Sequence, residues 1–260
     1  MKIGVFDSGL GGLTVVRALR EHLRGTEIVY VADTANAPYG EKSHKEIRQF
    51  SDAITRYLIE THRIDALVVA CNTATSAAID YLRGVFPDLV IVGTEPGIKP
   101  AMSVTRSGKV GILATPATLS GDKYQELADR LYRGTDIELF EQACPGLVER
   151  IEAGEENAHE TAAMLEGWLA PMREAGVDTI VLGCTHYPLA SEAITHGMGR
   201  SVELVETGAA IAKRLQALLT IRKEKTPDQL HVYATGAIEE HAVKRILNCP
   251  KISIKILKEI

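Results

Sequence analysis

The chain has 260 residues, 45% of them hydrophobic and 24% charged, with a formal net charge of −5 at pH 7. That length suffices for one large or two modest domains with real cores, and the acidic balance gives no general attraction to nucleic acid or to an anionic membrane. No apolar run reaches the ~20 residues of a membrane-spanning helix, "MKIGVFDSG" turns polar too early for a signal peptide, and the four cysteines (Cys71, Cys144, Cys184 and Cys249) include no C-x-x-C pair, so the reading is a cytoplasmic protein with reduced thiols.

The first apolar run, "KIGVFD" (2–7), reads as a strand. It passes into "FDSGLGGLTVV" (6–16), a glycine-rich turn entering a helix. The turn lacks the Lys-Ser/Thr ending of a P-loop and the G-x-G-x-x-G spacing of a dinucleotide site. Asp7 would repel a phosphate there, but it suits an ammonium group or a proton transfer. A second strand, "EIVYVAD" (27–33), leads to the loop "NAPYGEKS" (36–43), where Tyr39 and Gly40 offer a hydroxyl and an approachable backbone. Residues 43–60 carry Ile47, Phe50, Ile54 and Leu58 at helical spacing, and Ser43 with Glu46 has the form of a capping box.

Next comes "DALVVACNTATS" (65–76). Its strand (66–71) ends at Cys71, and the helix that follows holds Ala77, Ala78, Tyr81 and Leu82. A helix N-terminus favours a thiolate, and Asn72 and Thr73 add donors for a carboxylate. "LVIVGT" (89–94), "KVGILAT" (109–115) and "IELFEQ" (137–142) are further strands. Thr115 and Thr118 in "ATPATLSGDKY" supply hydroxyls. Cys144, before Pro145, is given a structural role, as is Cys249. Residues 155–175 form a helix whose buried stripe is Ala158, Ala162, Leu165, Leu169 and Met172. "DTIVLGCTHYPL" (178–189) then repeats the Asp-strand-Cys pattern and places His186 two residues after Cys184. The remaining elements are strands at 202–207 and 230–236 and a helix in "GAAIAKRLQALL" (208–219).

Strands rich in Val, Ile and Leu on both faces, alternating with amphipathic helices, indicate an α/β fold with mainly parallel sheets. Four strand pairs also match in order: "KIGVFDSG" with "KVGILATP", "EIVYVAD" with "DIELFEQ", "DALVVAC" with "DTIVLGC", and "VGTEP" with "VETGA". Their offsets are 107, 109, 113 and 113 residues. The expectation is two similar α/β domains related by pseudo-twofold symmetry, 1–95 with 208–260 and 96–207; one continuous sheet is the alternative. Ligands of such sheets bind beyond the C-terminal strand ends. The expected active site therefore lies at the domain interface, with Cys71 and Cys184 meeting across a cleft.

Two opposed thiols suit inversion of a carbon centre: a thiolate takes a proton from one face and a thiol delivers one to the other. A cysteine hydrolase needs a single nucleophile. Cys184 and His186 alone lack zinc-site spacing, so no metal is assigned.

"FDSGLGGLTV", "DTANAPYGEK", "VVACNTATSAA", "ATPATLSGDKY", "ACPGLVERIEAGE" and "IVLGCTHYPL" together resemble the glutamate racemase family, from the N-terminus to about residue 208. The resemblance implies cofactor-independent interconversion of L- and D-glutamate for peptidoglycan synthesis, by a homodimer. It puts the catalytic thiols on Cys71, acting on the D-enantiomer, and Cys184, acting on the L-enantiomer. Asp7, His186 and Glu152 become flanking catalytic groups. Substrate contacts fall on Asp7, Ser8, Tyr39, Gly40, Asn72, Thr73, Thr115, Thr118, Thr185 and His186. An aspartate racemase is the alternative enzyme, and a silent amino-acid-binding protein is the alternative of another class.

Overall fold

The computed structural model describes residues 1–95, 97–132, 134–219, 229–249 and 252–257. Pro96, the last residue of the "VGTEP" motif, lies outside them. The elements run β1 (Lys2–Asp7), α1 (Gly12–His22), β2 (Glu27–Ala32), α2 (His44–His62), β3 (Ala66–Val69), α3 (Asn72–Val85), β4 (Val90–Gly93) and α4 (Ile98–Val104). Then follow β5 (Lys109–Ala114), α5 (Pro116–Leu119), α6 (Asp122–Tyr132), β6 (Glu138–Ala143), α7 (Leu147–Glu152), α8 (His159–Ala175) and β7 (Thr179–Leu182). The chain continues with α9 (Ser191–Met198), β8 (Glu203–Val205), α10 (Gly208–Leu218), β9 (Gln229–Ala234), α11 (Glu240–Leu247) and β10 (Ile254–Ile256).

The chain divides into two compact units, Met1–Thr94 with Gly208–Ile260, and Glu95–Thr207. Each has its own sheet. The first has the order β10-β9-β2-β1-β3-β4 and the second β6-β5-β7-β8, and all the pairings are parallel. Four strands of the first sheet, β2-β1-β3-β4, therefore repeat the whole order of the second. The extra strands β9 and β10 belong to the first sheet alone, and β10 had no strand assigned to it from its sequence.

The central strands of the two sheets, β3 and β7, are buried along their whole length, as expected of parallel strands covered on both faces. In the first unit Phe6, Val29, Val31, Leu67 and Val69 pack with Ile54 and Leu58 of α2 and Ala78 and Leu82 of α3. On the second sheet Val110, Ile112 and Ala114 pack with Ile98 and Ala101 of α4. Leu113, Ile180 and Leu182 face the other way, onto Leu165, Leu169 and Met172 of α8. The period-two alternation of a strand sends neighbours to opposite layers.

Local chemistry accounts for the helix starts. Ser43 and Glu46 form the expected capping box on α2, with reciprocal side-chain-to-backbone bonds. The stripe of α8 differs from expectation: Thr161, not Ala162, is buried with Leu165, Leu169 and Met172, while Ala162 is exposed and Ala158 caps the helix. Thr161 satisfies its hydroxyl by donating to Glu155 O at 2.7 Å, so a polar residue stands where alanine composition alone suggested the core.

The aspartates that open the two matching motifs each tie down the N-terminal end of a strand within their own unit. Asp65 accepts the Lys2 N–H at 2.7 Å. Asp178 accepts from Thr105 Oγ1 at 2.6 Å and from the Arg106 and Ser107 N–H groups at 2.8 Å each. Burial pushes the Asp178 carboxyl up, but these bonds and one from Thr179 outweigh it and hold it well below the ordinary carboxylate range.

The registers also correct one offset. Glu27 pairs with Lys2, and Glu138 pairs with Lys109. The second strands are thus related by 111 residues, not 109. Cys144 follows β6 as Asp33 follows β2: the Asp33 N–H donates to Asp7 O at 2.8 Å and the Cys144 N–H to Ala114 O at 2.9 Å.

Candidate active site

Both β3 and β7 stop two residues short of their cysteines, so each thiol stands just beyond the C-terminal end of a central strand and not within it. The Ala70 N–H still donates to Phe6 O at 2.8 Å, and the Gly183 N–H to Leu113 O at 2.7 Å. These bonds carry the sheet edge one residue further and fix where the next side chain emerges. Cys71 and Cys184 are both buried.

Cys71 is the N-cap of α3, with extended backbone, and its sulfur accepts the Ala74 N–H at 3.4 Å. The 14-residue helix behind it directs its positive end at the sulfur. Ser8 Oγ lies 3.7 Å from the same sulfur. Asp7 Oδ1 accepts the Ser8 N–H at 2.8 Å, and Asp7 Oδ2 accepts the Gly12 N–H. Asp7 thus occupies the amides of the glycine-rich turn, which removes the anion cradle that such a turn can offer.

Tyr39 is buried and donates its hydroxyl to Asp33 Oδ2 at 2.5 Å. Burial first, then the Asp33 carboxylate, pushes its phenol well above the ordinary value, with Cys71 and Asp7 adding to the effect. The Tyr39 hydroxyl thus donates inward, to Asp33. The backbone of Gly40 remains open; a Cβ there would meet nothing within 4 Å. Asn72 is buried behind Cys71, and Thr73 is half-buried in the first turn of α3.

Sequence reasoning missed Asp33. It also accepts from Asn36 Nδ2 at 3.1 Å and from Thr235 Oγ1 at 2.7 Å. Its signal was its place at the end of "EIVYVAD", matching Asp7 at the end of "KIGVFD"; Thr235 is too distant in sequence for any local pattern to disclose.

In the second unit, Cys184 Sγ is 3.8 Å from His186 Nδ1, and His186 Nε2 is 2.8 Å from Glu152 Oε1. The structure thus joins three expected site residues into a carboxylate–imidazole–thiol chain. Glu152, at the end of α7, is partly exposed, and the imidazole is buried. No α-helix opens directly at Cys184; a 3-10 turn, Tyr187–Ala190, comes before α9. The imidazole stands where the first unit uses a helix end.

Thr185 is buried. Thr115 caps α5, and its hydroxyl lies 2.9 Å from that of Thr118. Tyr187, fully buried, donates to Cys144 O at 3.4 Å. Burial, with Cys184 adding, pushes the Cys144 thiol up to about 12, so this cysteine stays a neutral packing group. Among the described residues no cluster of three or more His, Cys, Asp or Glu is arranged to hold a metal ion, and no helix is long and apolar enough to cross a membrane.

The family model for Asp/Glu/Hydantoin racemase matches residues 3–215. A glutamate racemase of Sulfurovum sp. (strain NBC37-1) is 54% identical over 98% of each chain. Among solved structures, glutamate racemase isoform RacE1 from Bacillus anthracis has a TM-score of 0.88 at 30% identity, covering 98% of this chain and 97% of that one. Escherichia coli glutamate racemase, solved with L-glutamate and the activator UDP-MurNAc-Ala, has a TM-score of 0.84 at 32% identity over 98% of each chain. The family match spans every site residue expected from the sequence, and the chain belongs to the Asp/Glu/Hydantoin racemase family.

Proposed function

We propose that the protein is a glutamate racemase that inverts the α carbon with two thiols, Cys71 and Cys184. The observation that carries the reading is that a buried cysteine stands two residues beyond the end of β3 and again beyond the end of β7, each beside the side chain of a polar residue that is hydrogen-bonded to a carboxylate, Ser8 through its N–H and His186 through its ring. The thiolate of Cys184 takes the α-proton of L-glutamate while the Cys71 thiol delivers a proton to the opposite face. For D-glutamate the roles exchange. Each turnover leaves the protonation of the pair reversed. His186, held by Glu152, can take or return the Cys184 proton, and the α3 N-terminus favours the thiolate of Cys71.

Asp7, Ser8, Asn72, Thr73, Thr115, Thr118, Thr185 and the Tyr39–Gly40 backbone supply the polar contacts for the substrate's ammonium and carboxylate groups in this reading. The product D-glutamate would serve peptidoglycan synthesis. Assembly as a homodimer, a cytoplasmic location and independence of cofactors complete the proposal.

Glutamate is preferred over aspartate because the 54% identical relative over nearly the whole chain is a glutamate racemase. Circular dichroism of L- or D-glutamate incubated with the pure protein, without added cofactor, tests this. Decay of the signal to zero from either enantiomer is expected. Activity on aspartate alone selects an aspartate racemase, and inactivity on both selects a binding protein.

A further inference from the structure

Ser8 stands between the Asp7 carboxylate and the Cys71 sulfur as His186 stands between Glu152 and Cys184. Its hydroxyl oxygen is 3.5 Å from Asp7 Oδ1 and 3.7 Å from Cys71 Sγ. The contact to Asp7 is long for O–H···O, and Asp7 Oδ1 already accepts the Ser8 N–H at 2.8 Å. The hydroxyl is thus committed to neither neighbour and can rotate between them.

We infer that Ser8 is a catalytic hydroxyl rotor that follows the charge on Cys71. When Cys71 is a thiol, its S–H donates to Ser8 Oγ and the Ser8 O–H turns to Asp7 Oδ1. When Cys71 is a thiolate, the Ser8 O–H turns to the sulfur and joins the Ala74 N–H in stabilising the negative charge. The Ser8 proton never leaves its oxygen; only the thiol proton is exchanged with the substrate carbon. An imidazole can carry a proton away, whereas a hydroxyl of ordinary acidity only reorients, so the two thiols are served by different devices. This role goes beyond substrate binding by Ser8, and it rests on the reading of Cys71 as a proton-transfer group.

Tyr39, from the loop after β2, feels the charge of Cys71 together with those of Asp7 at the end of β1 and Asp33 after β2. All three stay in place in the test, so a change isolates the hydroxyl. The rate of iodoacetamide alkylation of Cys71 is followed against pH by peptide mass spectrometry, in the wild-type protein, Ser8→Ala and Ser8→Thr. The alkylation midpoint should rise by about one pH unit in Ser8→Ala, since hydrogen bonds to an ionised group favour it, and return in Ser8→Thr. An unchanged midpoint in Ser8→Ala overturns the proposal; so does a shift that Ser8→Thr fails to restore, which would mark packing and not the hydroxyl. The readout needs no turnover, so loss of the racemase reading and loss of this proposal are separately visible.

Discussion

At the scale of single residues, the two thiols stand in unlike surroundings. His186 connects Cys184 to Glu152 through contacts of 3.8 and 2.8 Å. Removing its proton-handling ring should cost about a hundredfold in turnover of L-glutamate, within the range for general acid–base groups. His186→Asn is expected to show that loss and Glu152→Gln a smaller one, about tenfold, because Glu152 acts only through the ring. A Glu152→Gln defect larger than that of His186→Asn would contradict the order of the chain. Cys144 supplies the contrast. Its thiol is pushed from 9.0 to about 12, so the folded state holds a proton that the unfolded chain releases at lower pH. That contribution to stability is intact below pH 9 and is lost as pH rises toward about 12. The melting temperature of the wild type should therefore fall more steeply between pH 9 and 11 than that of Cys144→Ala; parallel slopes would refute the assignment. The sequence disclosed Cys71, Cys184 and His186 because each lies inside one short motif. It concealed Asp33, whose partner Thr235 lies 202 positions away, and it hid the inward commitment of the Tyr39 hydroxyl, which depends on how the loop folds back.

At the scale of elements, sheet geometry explains why glycine precedes Cys184 while alanine precedes Cys71. A Cβ on Gly183 would lie 2.8 Å from the carbonyl oxygen of Leu113 and 3.0 Å from the Ala114 Cβ. The first of these is backbone within a central strand and cannot step aside. Gly183→Ala is expected to push the chain at Cys184 off β5, costing about 1–3 kcal/mol as an overpacked site and lowering activity. Chemical denaturation checks the first effect and the racemisation assay the second. Unchanged stability would show that the strand end can yield. Gly12 is crowded in the same way at the first site, where a Cβ would lie 2.7 Å from that of Asp7. These close approaches were not legible in the sequence, since a glycine in a strand-to-helix turn reads first as a turn residue. The strands themselves were legible to within about two residues, because apolar runs bounded by polar and small residues mark them. The short β10 was not: "IKI" is only three residues long and two of them are exposed, and pairing with β9, not hydrophobic periodicity, makes it a strand.

At the scale of the whole molecule, the repeat in sequence has its physical counterpart in strand order. β2-β1-β3-β4 and β6-β5-β7-β8 share one sequence of neighbours, and Cys71 and Cys184, 113 residues apart, occupy equivalent places beyond β3 and β7. The matching motifs disclosed three of the four strand relations, and the fourth was misjudged by two residues because "EIVYVAD" and "DIELFEQ" share pattern more than identity. A chain that presents a thiol at the same point of two equivalent sheets is suited to a reaction with two equivalent proton transfers, and this is the central claim. Solvent deuterium incorporation at the α carbon, followed by NMR or mass spectrometry for wild type, Cys71→Ser and Cys184→Ser acting on each enantiomer of glutamate, tests it most directly. The account predicts that the wild type deuterates the α carbon as it racemises and that each serine variant loses racemisation of both enantiomers by several orders of magnitude. Racemisation at the wild-type rate by either variant, or without α-deuteration in the wild type, would contradict it.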